Sequence, residues 1–153
     1  MSIHPAARAA QFLLGLSRST PLERMLDLAG AGPLDAVAVA GPQAADAMVE
    51  LWRRGFERVE AARRATCSSA DERCDLLLVM GCPDVQGADF LIGAVLGMLA
   101  PGGRIVVDAG LMLGADARAA LCRRLRARGL YIADDASLSA ELLAERPALA
   151  RAA

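Results

Sequence analysis

The sequence contains no lysine and no asparagine, and it has a single histidine, His4. All 17 basic residues are therefore arginine, so the chain can form no lysine Schiff base and can place no lysine ammonium on a phosphate. No two of its four cysteines form a Cys-x-x-Cys pair. Because zinc sites need clusters of cysteine and histidine, we expect no metal site. The cysteines are Cys67, Cys74, Cys82 and Cys122.

Strong net charge and long apolar segments are also missing. Against its 17 basic residues the chain has 18 acidic ones, so no overall field attracts nucleic acid or an anionic membrane. The arginine-rich segment 118–128 has no aromatic residues between its arginines to stack on bases, which favours a solvated helix face. The most apolar run, 90–99, is about half the roughly 20 residues that span a bilayer. We find no signal peptide, and we expect a cytoplasmic protein with free thiols.

The length of 153 residues suits one domain with a sizeable core. We predict an α/β domain over 34–153 and a short helical N-terminal extension over 1–33. The extension would contain helices at 6–16 and 21–29, the second with Thr20 as its N-cap and Pro21 at its first position.

Strand and helix patterns alternate along the rest of the chain, which predicts a three-layer Rossmann-like fold with a mainly parallel sheet. The segment 74–81, "CDLLLVMG", is continuously apolar, as a strand covered on both faces must be. In the helix after the first strand, Met48, Leu51 and Trp52 are expected on one buried stripe. Residues 137–153 are expected to form helix and tail. The predicted strands are 34–41, 56–62, 74–81, 104–108 and 130–134, and the predicted helices are 44–54, 88–99 and 116–128.

Ligands of such sheets bind outside the carboxyl ends of the strands. The loop after the first strand contains Gly41 and Gln43, with Pro42 between them removing a backbone donor. It is either a modified cofactor loop or an ordinary turn, and the pattern slightly favours the turn. Glu60 follows Gly41 by 19 positions, the spacing of an acid that binds ribose, although a solvent-facing glutamate fits as well.

Gly81, Cys82 and Asp84 follow the clearest strand and are also expected at this edge. Cys82 could be a nucleophile, but no neighbouring histidine would activate it, which favours a buried packing role. The loop 108–114 could close over a ligand or simply connect two elements.

The predicted helix 88–99 is apolar around its whole axis and carries Gly93 and Gly97, four positions apart. Covering a sheet would leave apolar surface on its other side. We therefore predict a homodimer with this helix in or beside the interface.

The segments 74–81 and 99–110, "CDLLLVMG" and "LAPGGRIVVDAG", resemble the second half of the class I S-adenosylmethionine-dependent methyltransferases. In that family an acid opens the fourth strand, matching Asp75, and a Pro-Gly-Gly turn feeds the fifth, matching 101–103. The resemblance covers roughly 34–135. It implies that the loop at Gly41 meets the methionine moiety, that Glu60 meets the ribose, and that 81–84 forms the methyl-transfer region.

The chain also departs from the family pattern. Its first loop has one glycine instead of a G-x-G-x-G run, a short connection replaces a helix and a strand before Cys74, and we predict no terminal antiparallel hairpin. Two hypotheses follow. The favoured one is a non-catalytic, dimeric binding or regulatory module that binds no cofactor. The alternative is a divergent S-adenosylmethionine-dependent methyltransferase with an unknown substrate.

Overall fold

A computed structural model describes residues 19–64, 72–112, 114–133 and 140–148. The predicted helix 6–16 and Cys67 lie outside these residues. In chain order the elements are α1 (Pro21–Ala29), β1 (Val37–Ala40), α2 (Ala44–Arg53), β2 (Val59–Ala61), β3 (Cys74–Val79), α3 (Val85–Val95), β4 (Leu99–Asp108), α4 (Ala115–Ala127) and β5 (Glu141–Glu145).

The five strands form one sheet in the order β2-β1-β3-β4-β5. The first four are parallel and β5 is antiparallel to β4. Helices α1 and α2 bury their apolar sides on one face of this sheet, and α3 and α4 bury theirs on the other. In β3, Leu76 and Leu78 face the first pair of helices while Leu77 and Val79 face the second. The predicted three-layer fold with a mainly parallel sheet is confirmed.

Helix α1 has the bounds that its end residues predict. Thr20 and Glu23 form a capping box, and Gly30 ends the helix in the left-handed conformation. Arg24 reaches across to β5, where its Nε lies 2.7 Å from a carboxylate oxygen of the buried Glu141. This part of the predicted extension is therefore packed onto the sheet.

The predicted buried stripe of α2 is partly wrong. Leu51 is fully buried and Met48 packs beside it, but Trp52 is 52% exposed. Ala47 and Leu51, one turn apart, face the sheet, and the next position is rotated away by about 100°. Gly55 follows the helix with a positive φ, at the end of the predicted helix 44–54.

Helix α3 begins and ends earlier than the predicted 88–99. It starts at Val85 because the Asp84 carboxylate caps it, accepting a hydrogen bond from the Gly87 amide at 2.6 Å. It ends at Val95 and a short 3-10 turn, Leu96–Met98, leads into β4. None of the helices in the described segments is long and apolar enough to cross a membrane.

Strand β4 begins before the predicted 104–108 and contains the Pro-Gly-Gly sequence as a bulge. Cys74 pairs with Leu99 and Leu76 with Arg104, so the residues between bulge out of the ladder. The bulge is held by two hydrogen bonds, from the Gly102 amide to the Arg146 carbonyl and from the Arg146 amide to the Gly103 carbonyl.

The prediction for the C-terminal region was wrong. Residues 141–145 form an antiparallel strand instead of a helix, because pairing with β4 buries Leu142 and Ala144. The predicted strand 130–134 contributes one bridge, between Tyr131 and Glu145, among the residues that are described. A terminal antiparallel strand is therefore present.

Candidate functional site

The candidate site lies where the strand order reverses. From β1 the chain moves outward to β2, then returns to β3 on the other side and continues to β4. In open α/β sheets the crevice outside the carboxyl ends at such a switch point is the usual ligand site. Because Ala40 pairs with Val79, the residues that follow β1 and β3 meet there.

Gly41 brings the two loops into direct backbone contact. Its φ is +106°, and a Cβ built on it would lie 2.0 Å from the Met80 carbonyl oxygen. The Met80 amide also donates to the Ala40 carbonyl at 2.9 Å. Only glycine fits this position, both for its backbone conformation and for the space available.

Gly81 makes the reciprocal contact with the first loop. Its φ is +80°, and a Cβ there would lie 2.8 Å from Gln43 Cγ and 3.3 Å from the Gln43 amide nitrogen. Three predicted site residues, Gly41, Gln43 and Gly81, are thus brought together. Gly41 packs on Met80 and Gly81 packs on Gln43, so neither glycine position leaves room for a side chain.

The N-terminus of α2 is poorly suited to an anionic ligand group. Pro42 offers no amide proton, and the Ala44 amide is already donated to the Gly41 carbonyl at 3.1 Å. Asp46 places a carboxylate in the first turn, where it offsets the positive end of the helix dipole.

Asp84 and Cys82 both contribute to the fold. Asp84 caps α3, and Cys82 is buried in the core between the sheet and α3. Burial raises the pKa of the Cys82 thiol, and the nearby carboxylates of Asp84 and Asp108 raise it further. A raised pKa disfavours the thiolate that nucleophilic chemistry needs, so this environment favours the packing role. Cys74, Cys82 and Cys122 are all free thiols.

Glu60 lies within the strand predicted at 56–62 and is the middle residue of β2, so it does not lie beyond the strand's carboxyl end. It lies level with Ala38, which precedes Gly41 by three positions. Its carboxylate lies 3.9 Å from Arg63. Ala62, which follows β2, donates its amide to the Val39 carbonyl near the end of β1. The position beside the end of β1 is therefore occupied by an alanine, which has no carboxylate to bind a ribose.

Sequence reasoning missed a groove of about 420 Å³ beside the switch point, between α1 and α2. Gln43 and Met80 line it together with the side of α2 that contains Ala47, Glu50 and Arg54. The spacing of these α2 residues places them on one helix face, but the position of α1 opposite them was not predicted. Among the described residues no group of histidine, cysteine, aspartate and glutamate is arranged to hold a metal ion.

Comparison with known proteins identifies the fold. No protein-family model matches the sequence, and neither does any curated protein sequence. The 1,6-didemethyltoxoflavin-N1-methyltransferase of Burkholderia thailandensis, solved with 1,6-didemethyltoxoflavin and S-adenosylhomocysteine, superposes with a TM-score of 0.58 at 14% identity, over 96% of this chain and 92% of that one. The Streptococcus pneumoniae protein Sp1610, solved with S-adenosyl-L-methionine, gives a TM-score of 0.51 at 14% identity, over 85% and 75% of the two chains.

An O-methyltransferase family protein from Burkholderia thailandensis gives a TM-score of 0.50 at 14% identity, over 84% of this chain and 58% of that one. Identities this low establish a common fold and nothing about the reaction. The resemblance predicted from 74–110 is confirmed for the fold. The chain has the fold of the class I S-adenosylmethionine-dependent methyltransferases.

Proposed function

We propose that this chain is a methyltransferase-like domain that transfers no methyl group and acts as a dimeric binding or regulatory module. One observation carries the proposal: the loops after β1 and β3 contact each other through Gly41 and Met80 and through Gly81 and Gln43. We infer that the two glycines serve the packing of these loops on each other and hold no cofactor.

The surroundings of the switch point support the same proposal. Tight binding of S-adenosylmethionine needs free backbone near the methionine end and an acid near the ribose. Pro42 offers no amide near the methionine end, and the Asp46 carboxylate opposes an anionic group there. Glu60 lies before the carboxyl end of its strand, where we expect no contact with a ribose. We therefore propose that the domain binds no S-adenosylmethionine.

Calorimetric titration with S-adenosylmethionine and S-adenosylhomocysteine, together with a melting scan at millimolar ligand, tests this proposal. A site filled at about 100 times its dissociation constant would stabilise the fold by about 2.7 kcal/mol. For a domain of this size that raises the melting temperature by several degrees, at roughly 2 to 4 °C per kcal/mol. We expect neither heat nor a shift, while the Burkholderia toxoflavin-type enzyme, titrated in parallel, shows both.

Micromolar affinity would overturn the proposal if it disappears in Glu60→Ala and persists in Glu57→Ala, an exposed acid on the neighbouring loop. The chain would then be a divergent methyltransferase. S-adenosylmethionine would be its cofactor, and the residues predicted to contact it are Gly41, Gln43, Glu60, Gly81, Cys82 and Asp84.

The proposed dimer centres on α3. Phe90 is 70% exposed on that helix. Gly93 packs on the Arg128 guanidinium of the same chain, where a Cβ would lie 2.7 Å from that group, so we do not place Gly93 in the proposed interface. We propose an interface around Phe90, and a cytoplasmic location in which free thiols persist.

A further inference from the structure

The groove between α1 and α2 has the size and the floor of a small-molecule site. Its volume of about 420 Å³ falls within the roughly 300 to 1,000 Å³ of ligand pockets. Leu22, Ala47 and Met80 line it with buried apolar side chains. Such a floor suits a compact aliphatic or aromatic group.

The rim of the groove is acidic. Three carboxylates, those of Glu23, Asp46 and Glu50, line it together with one guanidinium, that of Arg54. Arg54 donates to Glu23 Oε1 at 2.6 Å and to Glu50 Oε1 at 3.0 Å, so its charge is already compensated. The hydrogen bond from Arg54 holds the pKa of Glu23 below its usual range, so this carboxylate is ionised at neutral pH.

Asp46 is the carboxylate on this rim that could bind a ligand. It is exposed, and in the described part of the chain its carboxylate has no hydrogen bond or ion pair. Glu50 lies one helical turn further along the same face of α2. With three carboxylates against one guanidinium, the rim has a net negative charge, which attracts cations.

Two helix N-termini also open on the groove and by themselves would favour an anion. That of α1 is satisfied by the capping box of Thr20 and Glu23. That of α2 faces Asp46 in its own first turn. The full negative charges on the rim therefore outweigh the helix dipoles.

We propose that this groove binds a small organic cation, an ammonium group carried on a compact apolar body. The ammonium would lie at Asp46, and the apolar body would cover Leu22, Ala47 and Met80. A ligand with a carboxylate would be repelled by the rim. This inference goes beyond the proposed function and does not depend on it, since the groove lies between α1 and α2 and most of its lining belongs to those helices.

Three probes that share a phenyl ring test the proposal on the full chain at low ionic strength: benzylammonium, benzyl alcohol and benzoate. Titrations followed by NMR should show benzylammonium binding at the groove residues, with the alcohol and the acid at least about tenfold weaker. Asp46→Asn should weaken benzylammonium binding about threefold to fivefold, the range of one exposed ion pair. Asp116→Asn is the matched control, because Asp116 is also an exposed acid in the first turn of a helix, α4.

Four results would overturn the proposal: no benzylammonium binding at about 10 mM, equal binding of all three probes, tighter binding of benzoate, or equal weakening by Asp46→Asn and Asp116→Asn. S-adenosylmethionine is titrated separately on the same samples. Micromolar binding of that cofactor that disappears in Glu60→Ala contradicts the proposed function, whereas failure of the amine probe contradicts only this inference.

Discussion

Two glycines determine what the candidate site can accommodate. The sequence placed Gly41 and Gly81 after strands and so predicted their position at the edge of the sheet. It could not predict that Gly41 touches Met80, because the two residues are far apart in the chain and meet only once β1 and β3 pair. The spacing of 19 positions could not show how far Glu60 lies from the carboxyl end of β2, since strand register depends on pairing as well as on spacing.

Replacing Gly41 with alanine tests the backbone contact at the switch point. We expect Gly41→Ala to lower the free energy of unfolding by about 2 to 4 kcal/mol, because the left-handed backbone conformation and the Met80 carbonyl both oppose a Cβ. Gly55→Ala is the control, with a φ of +87° and nothing within 4 Å of its Cβ position. That control should lose about 1 to 2 kcal/mol in urea denaturation. Equal losses would mean that the contact with Met80 adds nothing.

Among the elements, those with strong local patterns were predicted and those that depend on pairing were not. The capping box fixes the start of α1, and the continuous apolar run identifies β3. Strand β5, by contrast, has the sequence ELLAE, whose residues favour helix in isolation. The unpaired edge of β4 turns this segment into a strand, so tertiary pairing overrides intrinsic propensity there.

The ion cluster between α3 and α4 predicts a pH-dependent contribution to stability. Asp89 accepts hydrogen bonds from Arg128 Nε and Arg124 Nη1, each at 2.9 Å, and its side chain is 17% exposed. The bond from Arg128, followed by that from Arg124, holds the pKa of Asp89 below its usual value. Its stabilisation is therefore present above about pH 3.9, the unfolded value, and is lost as the pH falls through the lower folded value.

We expect Asp89→Asn to lower the free energy of unfolding at pH 7 by about 1 to 3 kcal/mol, the range of hydrogen bonds to charged groups. Urea denaturation between pH 7 and pH 3 should show this difference shrinking at the acid end. Glu57→Gln, at an exposed position in a loop, should stay within about 0.5 kcal/mol of the unchanged protein. A difference that is constant over this pH range would show that the carboxylate charge is not the source of the stabilisation.

At the scale of the whole molecule, the alternation of strands and helices was enough to predict the layers. It could not predict which side of each helix packs on the sheet and which stays exposed. The apolar residues of 88–99 do surround the helix axis, yet Ala88, Ile92 and Val95 are buried on the sheet. Leu96 packs half-buried against the same core. A charged substitution at Leu96, made to test the dimer, would therefore disturb the fold itself. A substitution at the exposed Phe90 tests assembly without this effect.

The dimer prediction can be tested with two aromatic residues on opposite faces of the sheet. Phe90 on α3 and Trp52 on α2 are 70% and 52% exposed, so replacing either with serine removes little of the core. If α3 forms the interface, Phe90→Ser should weaken the dimer by about 30-fold or more, the usual effect of losing a central aromatic anchor. Sedimentation or light scattering over a micromolar concentration series would then show a dimer for the unchanged chain and for Trp52→Ser, but a monomer for Phe90→Ser. A monomer for the unchanged chain would refute the dimer, and dissociation by Trp52→Ser alone would move the interface to α2.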